Sequence, residues 1–341
     1  MSEATSRRGP RRRSFVIGLG AAAAMAGCTG PPTAPAVRAK LRVKVFPGAQ
    51  NLALFAAFEQ GFFARQGLDV DLQFTQNSGE LRGGLAQGAF DIAHAAADNA
   101  VALRETGADV VIVSGCDNSM NELFVQPDVG SVAQLRGKTL IVDAPNTAYA
   151  LQAKKILKNA GVQPGEYTVK QVGGTFQRIG AMLADAANTA STLNPPYSIQ
   201  AAQKGLRSLG RVGDLLGPYQ GSAVFVMRPW AQTHAQLLER YLAALIEATR
   251  WALAPANRES ATAMLKQRLE IDAPLAASTY AVLIDPRHGL APDCAFDRQG
   301  FAAVLTIRGE LEGQWGGKPP PQERFVDLQW YQRALDMLRR A

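Results

Sequence analysis

Between Lys44 and Asn99 the chain runs through strand, helix, strand, helix and strand patterns without interruption, and this constrains the fold more than any other stretch of its 341 residues. Val43, Val45 and Phe46 end a first strand at Pro47-Gly48. Leu54, Phe55, Phe58 and Phe62 recur at three- and four-residue steps, the spacing of one buried helix face. Gly61 stands where that helix ends, since glycine enters the left-handed conformation at little cost. Asp69 to Phe74 alternates with period two, as a strand does. Ser78 opens a short helix that Gly88 closes, and Asp91-Ile92-Ala93 forms a third strand. Two strand–helix–strand units in succession predict a parallel sheet with helices on its faces. Ligands of such sheets bind beyond the carboxyl ends of the strands. Here those ends carry polar residues, and Gln50, Asn51, Asn77, Ser78, Asp98 and Asn99 are candidates for a recognition rim. Turn formation and helix capping are the structural alternative for each. Asn51 in particular is placed to cap the helix that follows it.

The ordered series Asn51-Leu52, Glu59-Gln60-Gly61-Phe62-Phe63, Gly67-Leu68-Asp69-Val70 and Gly88-Ala89-Phe90-Asp91-Ile92-Ala93 resembles the opening of a solute-binding protein family. That family serves bacterial ABC importers of sulfonates, taurine, nitrate and thiamine-precursor pyrimidines. The resemblance implies an α/β, two-lobed fold of the type II periplasmic-binding-protein kind. Each lobe would be a mainly parallel sheet with flanking helices, and the ligand cleft would lie between the lobes. It further implies a monomer without cofactor or enzymatic activity. Such a chain captures a small polar or anionic solute and passes it to permease and ATPase subunits.

The first residues read as an address. Arg7, Arg8, Arg11, Arg12 and Arg13 precede the apolar run Phe15 to Gly27, which is shorter than the roughly 20 residues of a spanning helix. Arg12-Arg13-Ser14-Phe15-Val16 resembles a twin-arginine signal. Met25-Ala26-Gly27-Cys28 resembles a lipobox, with Met where Leu is usual. By that resemblance residues 1–27 are an export signal, Cys28 is the lipidated first residue, and the mature protein is anchored at the periplasmic or outer face of a membrane. Ordinary Sec export with cleavage near Ala26 is the alternative. Residues 28–39, with Pro31, Pro32 and Pro35, form a tether. The signal carries five Arg against one Glu, so four of the seven net positive charges leave with it. The basic charge is thus poor evidence for nucleic acid, and no basic stripe interleaved with aromatics occurs in the body.

Removing 27 residues leaves 314, a length suited to two lobes. The expected division gives residues 40–125 and 222–341 to a discontinuous first lobe and 126–221 to a second. Val110 to Ser114 is a continuous apolar strand ending in Cys116-Asp117-Asn118-Ser119, which adds Asn118 and Ser119 as candidates. Leu123-Phe124-Val125 crosses to the second lobe, and Ser222 to Met227 returns. In the second lobe Leu135-Arg136-Gly137-Lys138-Thr139-Leu140-Ile141-Val142 again resembles the family. Its strand ends at Asp143-Ala144-Pro145-Asn146-Thr147. Pro145 delays the helix start to about Thr147, so the first amides of that helix are free for an anionic or strongly polar group. Asn146, Thr147, Thr175 and Asn194 are the second-lobe candidates. Phe46, Tyr149, Phe176 and Tyr197 offer flat apolar walls, with core packing as the alternative for each.

Catalytic and metal chemistry lack a sequence pattern. His94, His234 and His288 stand apart, without metal-ligand spacing to another His, Cys or Glu. No nucleophile elbow or phosphate-binding P-loop occurs. Cys116 has no histidine close in sequence, and Cys116 and Cys294 are either a pair or two separate thiols. A rim of amides and hydroxyls suits reversible capture. The alternatives are an enzyme on the same fold, similar to pyrimidine-precursor synthases, and a ligand-sensing module for a membrane receptor.

Overall fold

The computed structural model describes residues 38–340. The signal and Cys28 lie outside the described residues, as does nearly all of the tether. The chain opens with β1 (Ala39–Val45), α1 (Leu52–Glu59), α2 (Phe62–Arg65), β2 (Leu68–Phe74), α3 (Ser78–Ala86), β3 (Ile92–Ala96), α4 (Ala97–Arg104) and β4 (Val110–Gly115). It continues with β5 (Glu122–Val125), β6 (Thr139–Val142), α5 (Ala148–Asn159), β7 (Thr168–Gln171), α6 (Thr175–Ala184), β8 (Asn188–Leu193), α7 (Tyr197–Gln203), β9 (Arg207–Arg211) and α8 (Val212–Leu216). The last part holds β10 (Ser222–Met227), α9 (Arg228–Thr233), α10 (Ala235–Leu253), α11 (Arg258–Leu269), α12 (Ala273–Leu283), α13 (Arg298–Glu312) and α14 (Gln329–Arg340). Gly61, at φ 72°, separates α1 from α2 and turns Phe62 and Phe63 back onto the core.

Two five-stranded sheets result, one per lobe, in the orders β2-β1-β3-β10-β4 and β7-β6-β8-β5-β9. In the first, β10 pairs antiparallel with both β3 and β4; in the second, β5 pairs antiparallel with both β8 and β9. Each sheet is thus parallel except for the strand that arrives from the other lobe. Two details differ from the sequence-based division. Ala39, assigned to the tether, pairs with Leu68 in the first sheet. Glu122–Val125, assigned to the end of the first lobe, is the apolar strand that β8 and β9 of the second sheet hydrogen-bond.

Both faces of the first sheet are covered, so side chains of alternating residues enter different cores. Ile92, Val111, Val113, Val224 and Val226 pack with α1, α10 and α14, and Trp330 closes that core. Ala93, Val110, Ile112, Ala223 and Phe225 pack on the other face with Leu81, Leu85, Phe301 and Phe325. The second sheet repeats the scheme with Leu140 and Val142 toward α5 and Ile141 toward Ile179 and Met182 of α6.

The lobes are joined behind the cleft by charge as well as chain. Arg308 of α13 reaches Asp98 of α4 at 2.7 Å, with both side chains 3% exposed, and its Nη1 also lies 3.4 Å from the Asn146 carbonyl oxygen. Around this pair, Lys155 and Lys158 of α5 meet Glu310, and Lys154 meets Glu312. Removing one member of a buried pair leaves the other charge uncompensated, at about 3–5 kcal/mol, whereas an exposed pair contributes about 0–1 kcal/mol. Arg308→Ala should therefore lower the unfolding free energy in urea by about 3–5 kcal/mol. Lys158→Ala should change it by under about 1 kcal/mol. Equal losses from the two substitutions would contradict this account.

Candidate functional site

The strand ends of both sheets meet around one cavity of about 240 Å³. A cavity of about 150 Å³ accommodates a benzene ring, so this one accommodates a small ring or chain with polar substituents. From the first lobe it is lined after β1 by Phe46, Gln50 and Asn51, after β2 by Gln76 and Ser78, after β3 by Asn99, and after β4 by Asp117 and Ser119. The second lobe contributes Asp143, Thr147 and Tyr149 at the start of α5, Thr175, Phe176 and Arg178 of α6, and Asn194 and Tyr197 after β8. Eight of the twelve ligand-binding candidates from the sequence thus line one cavity, together with all four aromatic walls.

The other four candidates do not line the cavity. Asn77 caps α3, its Oδ1 accepting the Gly79 and Glu80 amides at 2.8 and 3.0 Å. Asp98 turns to Arg308. Asn146 offers its carbonyl to the same guanidinium, and the backbone amide of Asn118 donates to Gly289 O at 3.0 Å. Among the lining residues, Asn51 does not cap α1 through its side chain; its Nδ2 donates to Phe46 O at 2.7 Å, and Gln50 Nε2 does so at 3.3 Å. These bonds close the loop after β1 on itself. A side chain at Gly48 would place its Cβ 2.2 Å from Gln50 Oε1.

The lobes touch across the cavity in three places, one of them the 3.3 Å hydrogen bond that Gln152 Nε2 of α5 donates to Ser119 Oγ. Asn194 Nδ2 donates to Gln50 Oε1 at 3.3 Å. A Cβ at Gly174 would lie 2.7 Å from Gln76 Oε1, so glycine permits the approach. Phe176, 64% exposed, stands 6.0 Å from the Tyr197 ring.

At the start of α5 the side chain of Thr147 does not cap its own helix. Thr147 Oγ1 lies 2.5 Å from Asp143 Oδ1 and 3.0 Å from Ala144 O, so its single proton is held within the loop. Arg178 of α6, 1% exposed, donates from Nε to Ser191 Oγ, from Nη1 to Gly173 O, and from Nη2 to Thr175 Oγ1 and Thr192 O. Burial lowers its pKa, against the opposing fields of Asp143 and Tyr149. Asp117 accepts the Ser119 and Ser222 amides on its two oxygens, and burial nonetheless pushes its carboxyl upward. Sequence reasoning did not single out Asp117, Asp143 or Arg178. The two aspartates lay inside loops already marked as strand ends, which is the signal that finds them. Arg178 gave no signal, being one residue within an amphipathic helix.

Histidine and cysteine are brought together where the sequence keeps them apart. Cys116 Sγ lies 3.8 Å from His94 Nδ1, and Tyr241 Oη holds His94 Nε2 at 2.8 Å. Burial pushes the imidazole down to about 3. Burial, then the fields of Cys294 and Asp117, push the Cys116 thiol well above its ordinary value. Both groups are therefore neutral near pH 7, which is not the thiolate–imidazolium state of an activated cysteine. Cys116 and Cys294 are both free thiols. Among the described residues no group of three or more His, Cys, Asp or Glu could hold a metal ion.

Three comparisons bear on this geometry. The family described as NMT1/THI5 like matches residues 49–258. No curated protein matches the chain. Among solved structures, a protein from Bordetella bronchiseptica RB50 superposes with a TM-score of 0.77 at 16% identity, over 89% of this chain and 98% of that one. The periplasmic nitrate-binding protein NrtA from Synechocystis PCC 6803 gives 0.72 at 16% identity, over 88% and 89%. The alkanesulfonate-binding protein SsuA from Xanthomonas axonopodis pv. citri, bound to MOPS, gives 0.69 at 18% identity, over 82% and 94%. These likenesses show the two-lobed periplasmic-binding-protein fold.

A neutral buried histidine makes stability depend on pH. The folded-state pKa of His94, about 3, lies below its unfolded value of about 6.5. Its contribution is therefore complete above pH 6.5 and is lost as pH falls toward 3, by up to about 1.4 kcal/mol per pH unit. His94→Gln should reduce the pH slope of the unfolding free energy between pH 6 and 4 by about one proton. An unchanged slope would show that His94 is protonated in the fold.

Proposed function

We propose, from the premise that the chain belongs to the NMT1/THI5-like family, that it is an exported solute receptor for an ABC importer. It binds one small polar solute between its lobes and presents the closed form to the permease, whose ATPase partner drives uptake. The observation that carries this reading is the cavity at the strand ends of both sheets, lined by amides and hydroxyls that hold a ligand without reacting with it. Gln50, Asn51, Ser78, Asn99, Ser119, Thr147, Thr175 and Asn194 are the residues proposed to contact the solute. The lobes would close about the strands β5 and β10 that pass between the sheets. The sulfonate- and nitrate-binding proteins of similar fold make small oxyanions, together with pyrimidine-like heterocycles, the first compounds to try.

A thermal-shift panel of nitrate, taurine, alkanesulfonates and aminopyrimidines tests the reading. A solute at 100 times its dissociation constant adds about 2.7 kcal/mol of stability, and small-angle scattering should show compaction at that saturation. A panel without any stabilising solute would contradict it.

Cys28 as a lipid anchor belongs to the same proposal, because Ala26-Gly27-Cys28 ends an apolar run before a Pro-rich tether. One acyl chain binds membranes only marginally, and a second makes the attachment stable. Cys28→Ala should move the protein from the membrane fraction to the soluble fraction of cells that express it. A wild-type protein that is already soluble would remove the anchor.

A further inference from the structure

The charges that line the cavity are two carboxylates, Asp117 and Asp143, and one guanidinium, Arg178. Four N–H groups of Arg178 are engaged by Ser191, Gly173, Thr175 and Thr192. Its Nη1 lies 3.9 Å from Asp143 Oδ1. The cation is thus spent on the second lobe's own backbone and hydroxyls, and its charge is balanced by Asp143. Arg82, outside the cavity lining, donates to Asn99 Oδ1 and lies within the field of Asp143, and Arg308 is paired with Asp98. Asp143 is used on one side only. Its Oδ1 accepts from Thr147, and among the described residues no hydrogen bond reaches Oδ2. Through Thr147 the carboxylate is tied to the start of α5, where a negative charge is favoured by the helix dipole.

We infer that the site selects a neutral or cationic solute bearing N–H donors, with Asp143 Oδ2 as the acceptor that reads it, and disfavours sulfonate and nitrate. A ligand oxyanion in this cavity would approach two carboxylates and find no unengaged lining cation. An amino or amidine group meets the opposite situation: a partnerless carboxylate oxygen, with Tyr149, Phe176 and Tyr197 able to flank a flat ring. Asp143 is therefore the specificity-determining residue of the receptor site. The inference rests on the receptor reading above and narrows its ligand class.

Calorimetric titration of the full chain with two planar probes of similar size, benzamidinium and benzenesulfonate, tests it without any variant. Wild type should bind benzamidinium at least tenfold more tightly. Asp143→Asn, checked for folding by circular dichroism, should shrink that preference at least tenfold. Benzenesulfonate binding as well as or better than benzamidinium, no binding of either probe, or a preference untouched by Asp143→Asn would each overturn the inference. Stabilisation by nitrate, taurine or an alkanesulfonate, with benzamidinium inert, would overturn it and leave the receptor reading standing. Silence of the whole solute panel would remove both.

Discussion

The buried pair of Arg308 and Asp98 fixes, within the first lobe, the guanidinium that reaches across to the second. It joins the first turn of α4, the C-terminal helix α13 and, through the Asn146 carbonyl, the loop that launches α5 in the other lobe. A charge pair so far from water is costly to form and costly to break singly. Its consequence is geometric: the start of α5, and with it Asp143 and Thr147, is held against the strand ends of the first sheet. The surrounding lysine–glutamate pairs between α5 and α13 add reach rather than strength.

That fixed relation explains why residues of like sequence character have unlike roles. Asn77, Asn118 and Asn146 sit at strand ends just as Asn51, Asn99 and Asn194 do. Of the first three, Asn77 spends its side chain on a helix cap, and Asn118 and Asn146 bond Gly289 and Arg308 through their backbones, outside the cavity lining. At α5 the balance is reversed: Thr147 lines the cavity, yet its proton serves Asp143. The pocket is therefore less rich in free donors than its composition suggests, and richer in acceptors.

The fold was largely legible in the sequence because its information is local. Apolar residues at helical and strand spacing, with Gly61, Gly88 and Gly161 in left-handed conformation where elements end, define each unit, and successive units define a parallel sheet. The positions of the cavity loops followed from the same rule. What the sequence concealed is non-local. Arg308 and Asp98 are 210 positions apart, and Cys116 and His94 converge from different strands of one sheet. Arg178 reads as one more residue of an amphipathic helix, and only the fold turns it toward Ser191 and Thr192. The edges of the lobes were displaced for a related reason. An apolar strand such as Leu123 to Val125 carries no mark of which sheet will hydrogen-bond it.

The contrast between the rear and the front of the cleft follows from these contacts. Behind it, the contact of Arg308 with the Asn146 carbonyl, the lysine–glutamate pairs between α5 and α13, and the crossing strands β5 and β10 hold the lobes together. At the cavity, the lobes meet through neutral hydrogen bonds of 3.3 Å from Asn194 to Gln50 and from Gln152 to Ser119, and through the approach of Gln76 to Gly174. A neutral hydrogen bond contributes about 0.5–1.5 kcal/mol net, which thermal motion opens readily. A small solute bridging Asp143 to the first-lobe amides would make contacts to both halves at once. Closure would then be favoured by ligand because only the closed form offers both sets of partners, which is the differential affinity that any such motion requires.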